Sequence, residues 1–229
     1  MYRKFVNARS PLRLLEQGLH GGLGRGNLGV VLAGHGVGKT SFLVGVALDE
    51  LLRDQVVLHV SLGDGVSHVR AYYDTVFDEL AASTHLENAA GTRAELDRRR
   101  SNRSYPAAAF SAAKLREAIK IEGEAGAKPA LVIVEGYELG GTDAGELREL
   151  KALARELDAE IWLSVACPDD RVQIVPPTLT SVGEIVSVIL SLEPTNGTVA
   201  LRALKDHDST DVSALRVSLD PRTLLLVRS

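Results

Sequence analysis

The segment from residue 28 to residue 40, Leu-Gly-Val-Val-Leu-Ala-Gly-His-Gly-Val-Gly-Lys-Thr, decides the fold of this chain. It opens with a short apolar run, Leu28 to Ala33, which is typical of a strand buried on both faces. From Thr40 to Arg53, apolar residues recur close to the helical period, and no proline interrupts them. Between these two runs the sequence matches small-x-x-x-x-Gly-Lys-Thr, with Ala33 where glycine is more usual. We therefore predict a strand, an anion-binding loop and a helix in direct succession.

The residue types within this loop suit the binding of phosphate groups. Glycines allow the backbone to curl so that successive N–H groups converge on an anion, and the positive end of the following helix points to the same place. Lys39 would reach the β and γ phosphates, and the Thr40 hydroxyl would ligate a bridging Mg²⁺. A glycine-rich turn that binds nothing is the alternative, but packing a turn does not call for Lys-Thr at a helix start. The candidate cofactor-binding residues are Gly34, His35, Gly36, Val37, Gly38, Lys39, Thr40 and Ser41.

Strand-like and helix-like segments alternate along the rest of the chain. Further strands are predicted at 56–62, 130–134 and 160–166, and further helices at 66–82, 111–124 and 145–157. Near the C-terminus, turn residues separate four short apolar stretches, at 184–192, 198–204, 215–219 and 224–227, which indicates antiparallel strands. The pattern predicts an α/β fold of three layers, with a mostly parallel central sheet that the C-terminal antiparallel strands extend.

No linker divides the sequence, so we expect one domain over residues 1–229. Within it, residues 1–17 form an N-terminal segment that precedes the alternating elements. Residues 84–105 form a variable, arginine-rich segment in which the helix and strand signals weaken.

Composition narrows the class of protein. The chain has 26 Lys and Arg against 30 Asp and Glu, a net charge of -4, and 45% hydrophobic residues, which excludes disorder and a surface that coats nucleic acid. Cys167 is the single cysteine, so an internal disulfide is excluded and a reducing compartment fits. No apolar run approaches the roughly 20 residues that span a bilayer. We expect a cytoplasmic protein that makes no membrane contact.

Several segments together resemble a known family. These are the loop, the glycine-rich stretch 20–28, the strands Val-Leu-His-Val-Ser-Leu (57–62) and Leu-Val-Ile-Val-Glu (131–135), and the stretch Leu204-Lys205-Asp206-His207. They resemble the RecA-like P-loop ATPases, most closely the KaiC and DnaB-like branch, from about residue 18 to the end. The resemblance implies a RecA-type core that binds ATP and Mg²⁺, often at the interface of a ring or filament. The implied partners are a nucleotide, further copies of the chain in a homo-oligomer, and a protein partner.

The resemblance also locates the candidate hydrolysis residues and shows where this chain departs from the family. The family glutamate that activates water falls at Gly63, so Asp64, one residue later, is the candidate base. The metal-associated acid of the next strand is Glu135 rather than aspartate. Glutamate can still hold a Mg²⁺-bound water, so Thr40 and Glu135 are the metal candidates. The alternative for Glu135 is a carboxylate that faces solvent.

Two further positions carry weaker family signals. Lys205 resembles the lysine of a Lys-x-Arg element that touches a neighbouring subunit's nucleotide, with His207 in place of the arginine. An exposed lysine at a hairpin end is the equally weighted alternative. Ser164 is the polar side chain closest to the family's γ-phosphate sensor. The candidate catalytic residues are therefore Asp64, Glu135 and Lys205.

The arginine-rich segment allows a nucleic-acid hypothesis. Five arginines between residues 93 and 103, set against Glu95 and Asp97, give a local charge of +3. They would contact a phosphate backbone or an acidic partner, or simply form a solvated surface.

Three functions thus stay open from the sequence. The first is a slow ATPase that couples nucleotide state to assembly or partner binding. The second is a catalytically inactive nucleotide-binding regulator or scaffold. The third is an accessory ATPase of DNA recombination or helicase loading.

Overall fold

The computed structural model describes residues 1–139, 144–169, 171–180, 182–209, 212 and 214–229. These residues form an α/β structure around a nine-stranded sheet with strand order β3-β2-β4-β5-β1-β6-β7-β8-β9. The strands are β1 Leu28–Ala33, β2 Val57–Leu62, β3 Arg100–Tyr105, β4 Leu131–Glu135, β5 Glu160–Ala166, β6 Val188–Pro194, β7 Val199–Asp206, β8 Ala214–Leu219 and β9 Leu226–Arg228. The helices are α1 Arg3–Ala8, α2 Leu12–Gly18, α3 Lys39–Leu52, α4 Val66–Thr84, α5 Ala89–Arg98, α6 Ala112–Glu124, α7 Ala144–Leu157 and α8 Pro177–Thr180.

Strands β3, β2, β4, β5, β1 and β6 are parallel, and β7, β8 and β9 continue the sheet antiparallel. This confirms the predicted fold class. Strand β1 lies near the middle, and all six of its residues are buried. One face packs against α3 and α4, and the other packs against α6 and α7. Burial on both faces explains why the β1 sequence is continuously apolar rather than alternating.

The predicted bounds of β1 and β5 are confirmed, and Ser111 caps α6 by accepting a hydrogen bond from the backbone N–H of Lys114. One C-terminal prediction was wrong in both start and direction. The stretch 184–192 begins with turns, and its strand starts only at Val188 and runs parallel to β1. The turn signals around it are local, whereas the direction of the strand is set by its hydrogen bonds to β1.

The segment 84–105 is more ordered than its sequence indicates, because it contains α5 and β3. Strand β3 pairs in parallel with β2, from Val57 opposite Arg100 to Leu62 opposite Tyr105. It lies at the sheet edge and none of its residues is fully buried, so it needs no apolar pattern. Residues 1–17 likewise contain α1 and nearly all of α2. Within the described residues, none of the helices combines the length and apolar character needed to cross a bilayer.

The close contact between β1 and β5 generates a stability prediction at Gly29. A Cβ atom built there would lie 2.6 Å from the Trp162 ring, which itself packs edge-on against Phe42. Gly29→Ala should therefore destabilise the fold by about 1–3 kcal/mol, measured by urea unfolding. Gly123→Ala is the matched control, because a Cβ there meets open space on α6 and should be neutral or stabilising by up to about 1 kcal/mol. Equal stability of Gly29→Ala and the parent would contradict this packing.

Candidate functional site

The loop between β1 and α3 has the backbone that its glycines were expected to provide. Gly36 and Gly38 have φ of 74° and 120°, values that residues with a Cβ rarely adopt. At Gly38 a Cβ would also collide with Leu219 of β8, so the loop is backed by the C-terminal strands. His35 is exposed, Val37 is half-buried, and Ser41 is buried in the first turn of α3.

Lys39 is held above the loop by its own backbone. Its Nζ donates to the carbonyl oxygens of Ala33 at 2.9 Å and Gly34 at 2.7 Å. Burial lowers the pKa of this ammonium, while Cys167 and Glu135 nearby act in the opposite direction. The lysine therefore presents a partly desolvated positive charge at the mouth of the loop, where an anion gains more from it than in water.

Thr40 and Glu135 are brought together from elements far apart in sequence. The Thr40 hydroxyl, in the first turn of α3, donates a hydrogen bond to Oε1 of Glu135 at the end of β4. Glu135 is only 9% exposed, so the solvent-facing alternative is wrong. Burial alone would raise the pKa of Glu135, but hydrogen bonding and charge from His59, and the hydrogen bond from Thr40, together lower it. The site thus contains an ionised carboxylate beside a hydroxyl.

His59 and Tyr73, which the sequence analysis did not select as site residues, stand behind Glu135. The imidazole Nε2 of His59 lies 3.2 Å from Oε2 of Glu135, and its Nδ1 lies 3.1 Å from the Tyr73 hydroxyl. His59 is completely buried in β2. The available sequence signal was a histidine inside the apolar run of residues 57–62.

A cleft of about 1180 Å³ opens in front of these groups. Its walls come from the loop, the carboxyl ends of β2, β4 and β5, the segment after β5, and the turn after β8. His35 to Ser41 and Glu135 all line it, together with Asp64, Tyr72, Ser164, Cys167 and Arg171. Ligands of open α/β sheets bind at this edge, where the carboxyl ends of the strands meet. The cleft therefore collects most of the predicted site residues.

Asp64 and Ser164 occupy different situations within the cleft. Asp64 is exposed, and its backbone carbonyl accepts a hydrogen bond from Ser104 at 2.7 Å. Gly63 before it has φ of 107°, so a glutamate at that position would strain the backbone. Ser164 is buried, and its Oγ accepts from the backbone N–H of Gly136 at 3.0 Å, which fixes the chain as it leaves β4.

The structure does not place Lys205 with the other candidates. Its Nζ donates to the carbonyl oxygens of Gly183, at 2.7 Å, and Val186, and burial lowers its pKa. His207 likewise donates from Nε2 to the Gly22 carbonyl at 3.0 Å. Both side chains are thus bound to the backbone of their own chain. The alternative of an exposed hairpin lysine is also wrong, because Lys205 is half-buried.

The arginine-rich segment is not a free basic surface. Four of its arginines form ion pairs with carboxylates, and most of these carboxylates lie outside the segment. The pairs are Arg93 with Asp74 and Asp78, Arg99 with Asp54, Arg100 with Asp97, and Arg103 with Glu122. Paired arginines release few counterions from a nucleic-acid backbone, so these contacts count against the nucleic-acid hypothesis.

Comparisons with known proteins agree with the architecture. No family model matches the chain, and no curated protein matches it either. Among solved structures, the ATPase domain of a DnaB-like helicase is similar, with a TM-score of 0.70 and 15% sequence identity, over 94% of this chain and 88% of that chain. At this identity the likeness establishes the fold alone. The chain has a RecA-like α/β fold.

Cys167 gives a direct chemical test of the environment at the cleft. Burial raises the pKa of its thiol, and the nearby Lys39 ammonium offsets only part of this effect. Because the thiolate is the reactive form, iodoacetamide should label Cys167 several-fold more slowly than free cysteine at neutral pH. Mass spectrometry measures the rate, with Cys167→Ser as the unlabelled control. Lys39→Ala should slow labelling further. Labelling as fast as free cysteine would contradict this environment.

Proposed function

We propose that this chain binds ATP with Mg²⁺ in the cleft and hydrolyses the nucleotide slowly. The observation that carries the proposal is the hydrogen bond between Thr40 and Glu135, directly behind the phosphate-type loop. It places a hydroxyl and an ionised carboxylate side by side, at the point where the loop backbone, Lys39 and the start of α3 would hold phosphates. A turn with only a packing role has no need of this arrangement.

The donor set suits magnesium rather than a softer metal. Thr40 and Glu135 offer oxygen ligands, which Mg²⁺ prefers. Within the described part of the chain, no group of three or more His, Cys, Asp or Glu side chains could hold a metal. A protein site of one or two oxygens is typical of Mg²⁺ that is bound largely through waters and substrate phosphates. When bound, the ion would neutralise charge on the β and γ phosphate oxygens.

The residues of the chain would then have separate roles. Backbone N–H groups of Gly36 and Gly38 would orient the phosphates, and Lys39 would exchange its carbonyl partners for phosphate oxygens. Thr40 would face the metal directly, and Glu135 would hold one of the metal's waters. Asp64 is the remaining candidate for accepting a proton from the attacking water, because it is exposed in the same cleft.

Slow rather than fast hydrolysis is supported by what surrounds these groups. Gly63 provides no side chain at the position of the family's base, and Lys205 and His207 bond to their own backbone rather than project from the surface. The catalytically inactive regulator or scaffold is therefore the second candidate, distinguished by binding without turnover. Coupling of the nucleotide state to self-assembly or to a protein partner completes the proposal, with the RecA-like fold as its support.

Loss of the loop lysine should abolish nucleotide binding. Lys39→Ala should weaken the affinity for Mg²⁺–ATP by about 100-fold or more, because it removes a desolvated charge-assisted contact. Fluorescence of an ATP analogue measures the binding, a phosphate-release assay measures turnover, and light scattering with and without nucleotide measures assembly. Lys120→Ala, an exposed lysine on α6, is the matched control and should behave as the parent. Parent-like affinity in Lys39→Ala would overturn the proposed site.

Removal of the candidate base should separate binding from hydrolysis. Asp64→Asn keeps the size of the side chain but cannot accept the proton, so turnover should fall by about 100-fold while affinity for Mg²⁺–ATP changes little. Single-turnover phosphate release measures this effect. Unchanged turnover in Asp64→Asn would exclude Asp64 as the base. Absence of turnover in the parent, with binding intact, would favour the inactive regulator.

A further inference from the structure

A buried line of side chains runs from the sheet edge to the phosphate loop. The Arg100 guanidinium lies 4.0 Å from the centre of the Tyr73 ring, and the Tyr73 hydroxyl lies 3.1 Å from Nδ1 of His59. Nε2 of His59 lies 3.2 Å from Oε2 of Glu135, whose other oxygen accepts from Thr40. The line joins β3, α4, β2, β4 and α3. It therefore connects the part of the chain that the sequence described least well to the centre of the site.

The hydrogen-bond roles along this line follow from the chemistry of its ends. Glu135 is ionised and can only accept, so Nε2 of His59 carries the proton between them. Burial raises the pKa of the Tyr73 phenol, so its hydroxyl keeps its proton and can donate. In a neutral imidazole the remaining Nδ1 is an acceptor, and it receives the Tyr73 hydroxyl. Every polar atom of His59 is thus used, and both oxygens of Glu135 have a donor.

The position of His59 is difficult to explain by packing alone. Its neighbours on β2, Leu58 and Val60, are apolar, and burial of an imidazole beside a carboxylate costs desolvation that an aliphatic side chain would avoid. His59 also does not line the cleft, whereas Glu135 does. Any effect of His59 on a bound ligand must therefore pass through Glu135.

We propose that His59 is a positioning residue that holds Oε2 of Glu135, so that Oε1 stays directed at Thr40 and the metal side of the loop. Tyr73 fixes the imidazole from behind, and Arg100, paired with Asp97 at 2.7 Å, covers the Tyr73 ring. This inference rests on the proposed function. It adds that the Mg²⁺-dependent part of nucleotide binding is set by a histidine that touches neither metal nor nucleotide.

The test compares nucleotide affinity in excess Mg²⁺ with affinity in EDTA, using a fluorescent ATP analogue and the full chain. The ratio of the two dissociation constants isolates the metal-dependent part of binding. His59→Leu should reduce this ratio about tenfold, the scale typical of lost outer-shell partners, with the affinity in EDTA unchanged within about twofold. His59→Gln should recover most of the ratio, because its amide can still donate to Glu135.

A second variant keeps the test decisive if His59→Leu fails to fold. Tyr73→Phe removes only the hydroxyl that fixes the imidazole, and should lower the Mg²⁺ ratio several-fold. Ser191→Ala is its matched control, because it removes a buried hydroxyl of β6 outside the cleft and should leave the ratio unchanged. Thermal unfolding by circular dichroism checks the fold of each variant.

Each outcome has a distinct meaning. A parent-like Mg²⁺ ratio in His59→Leu or Tyr73→Phe would overturn the positioning role. Equal weakening in Mg²⁺ and in EDTA would also overturn it, because a general structural defect affects both conditions. A parent chain that binds the nucleotide no better with Mg²⁺ than without it would contradict the proposed function itself, so the two failures are distinguishable.

Discussion

The hydrogen bond from Thr40 to Glu135 is the contact on which the arrangement of the site depends. Its partners are 95 residues apart, and β5 lies between β4 and β1 in the sheet. The bond forms only if the loop turns sharply enough to start α3 at Lys39, over the strand ends. The positive φ angles of Gly36 and Gly38 permit that turn, and the buried faces of β1 fix where it begins. Backbone geometry, sheet order and site chemistry are therefore one constraint.

Much of this could be predicted from the sequence, because the relevant signals are local. Strand β1 is buried on both faces and is therefore continuously apolar, and the loop glycines are required by their own backbone angles. Strand β3 could not be predicted in the same way. It lies at an edge, where a polar sequence such as Arg-Ser-Asn-Arg-Ser-Tyr is compatible with strand pairing. The direction of β6 is likewise set by its pairing with β1, and no local turn signal reports it.

The charged residues show a second reason for the difference. Arg93 pairs with Asp74, and Arg103 pairs with Glu122, each 19 residues away, so a count within a short window overstates the free positive charge. Lys205 resembled a residue that reaches outward, yet nearby carbonyl groups hold its ammonium. His59 was missed because a lone histidine in a strand acquires meaning only when Glu135, 76 residues later, is folded against it. In all three cases the partner is a tertiary neighbour.

The most direct measurement is an experimental structure of the chain with a non-hydrolysable ATP analogue and Mg²⁺. The account predicts the triphosphate in the loop, with Lys39 on phosphate oxygens and the Thr40 hydroxyl on the metal. It further predicts that Glu135 holds a metal-bound water through Oε1 while Oε2 keeps its contact with His59. A nucleotide bound elsewhere, or a Glu135 carboxylate turned away from both His59 and the metal, would contradict it.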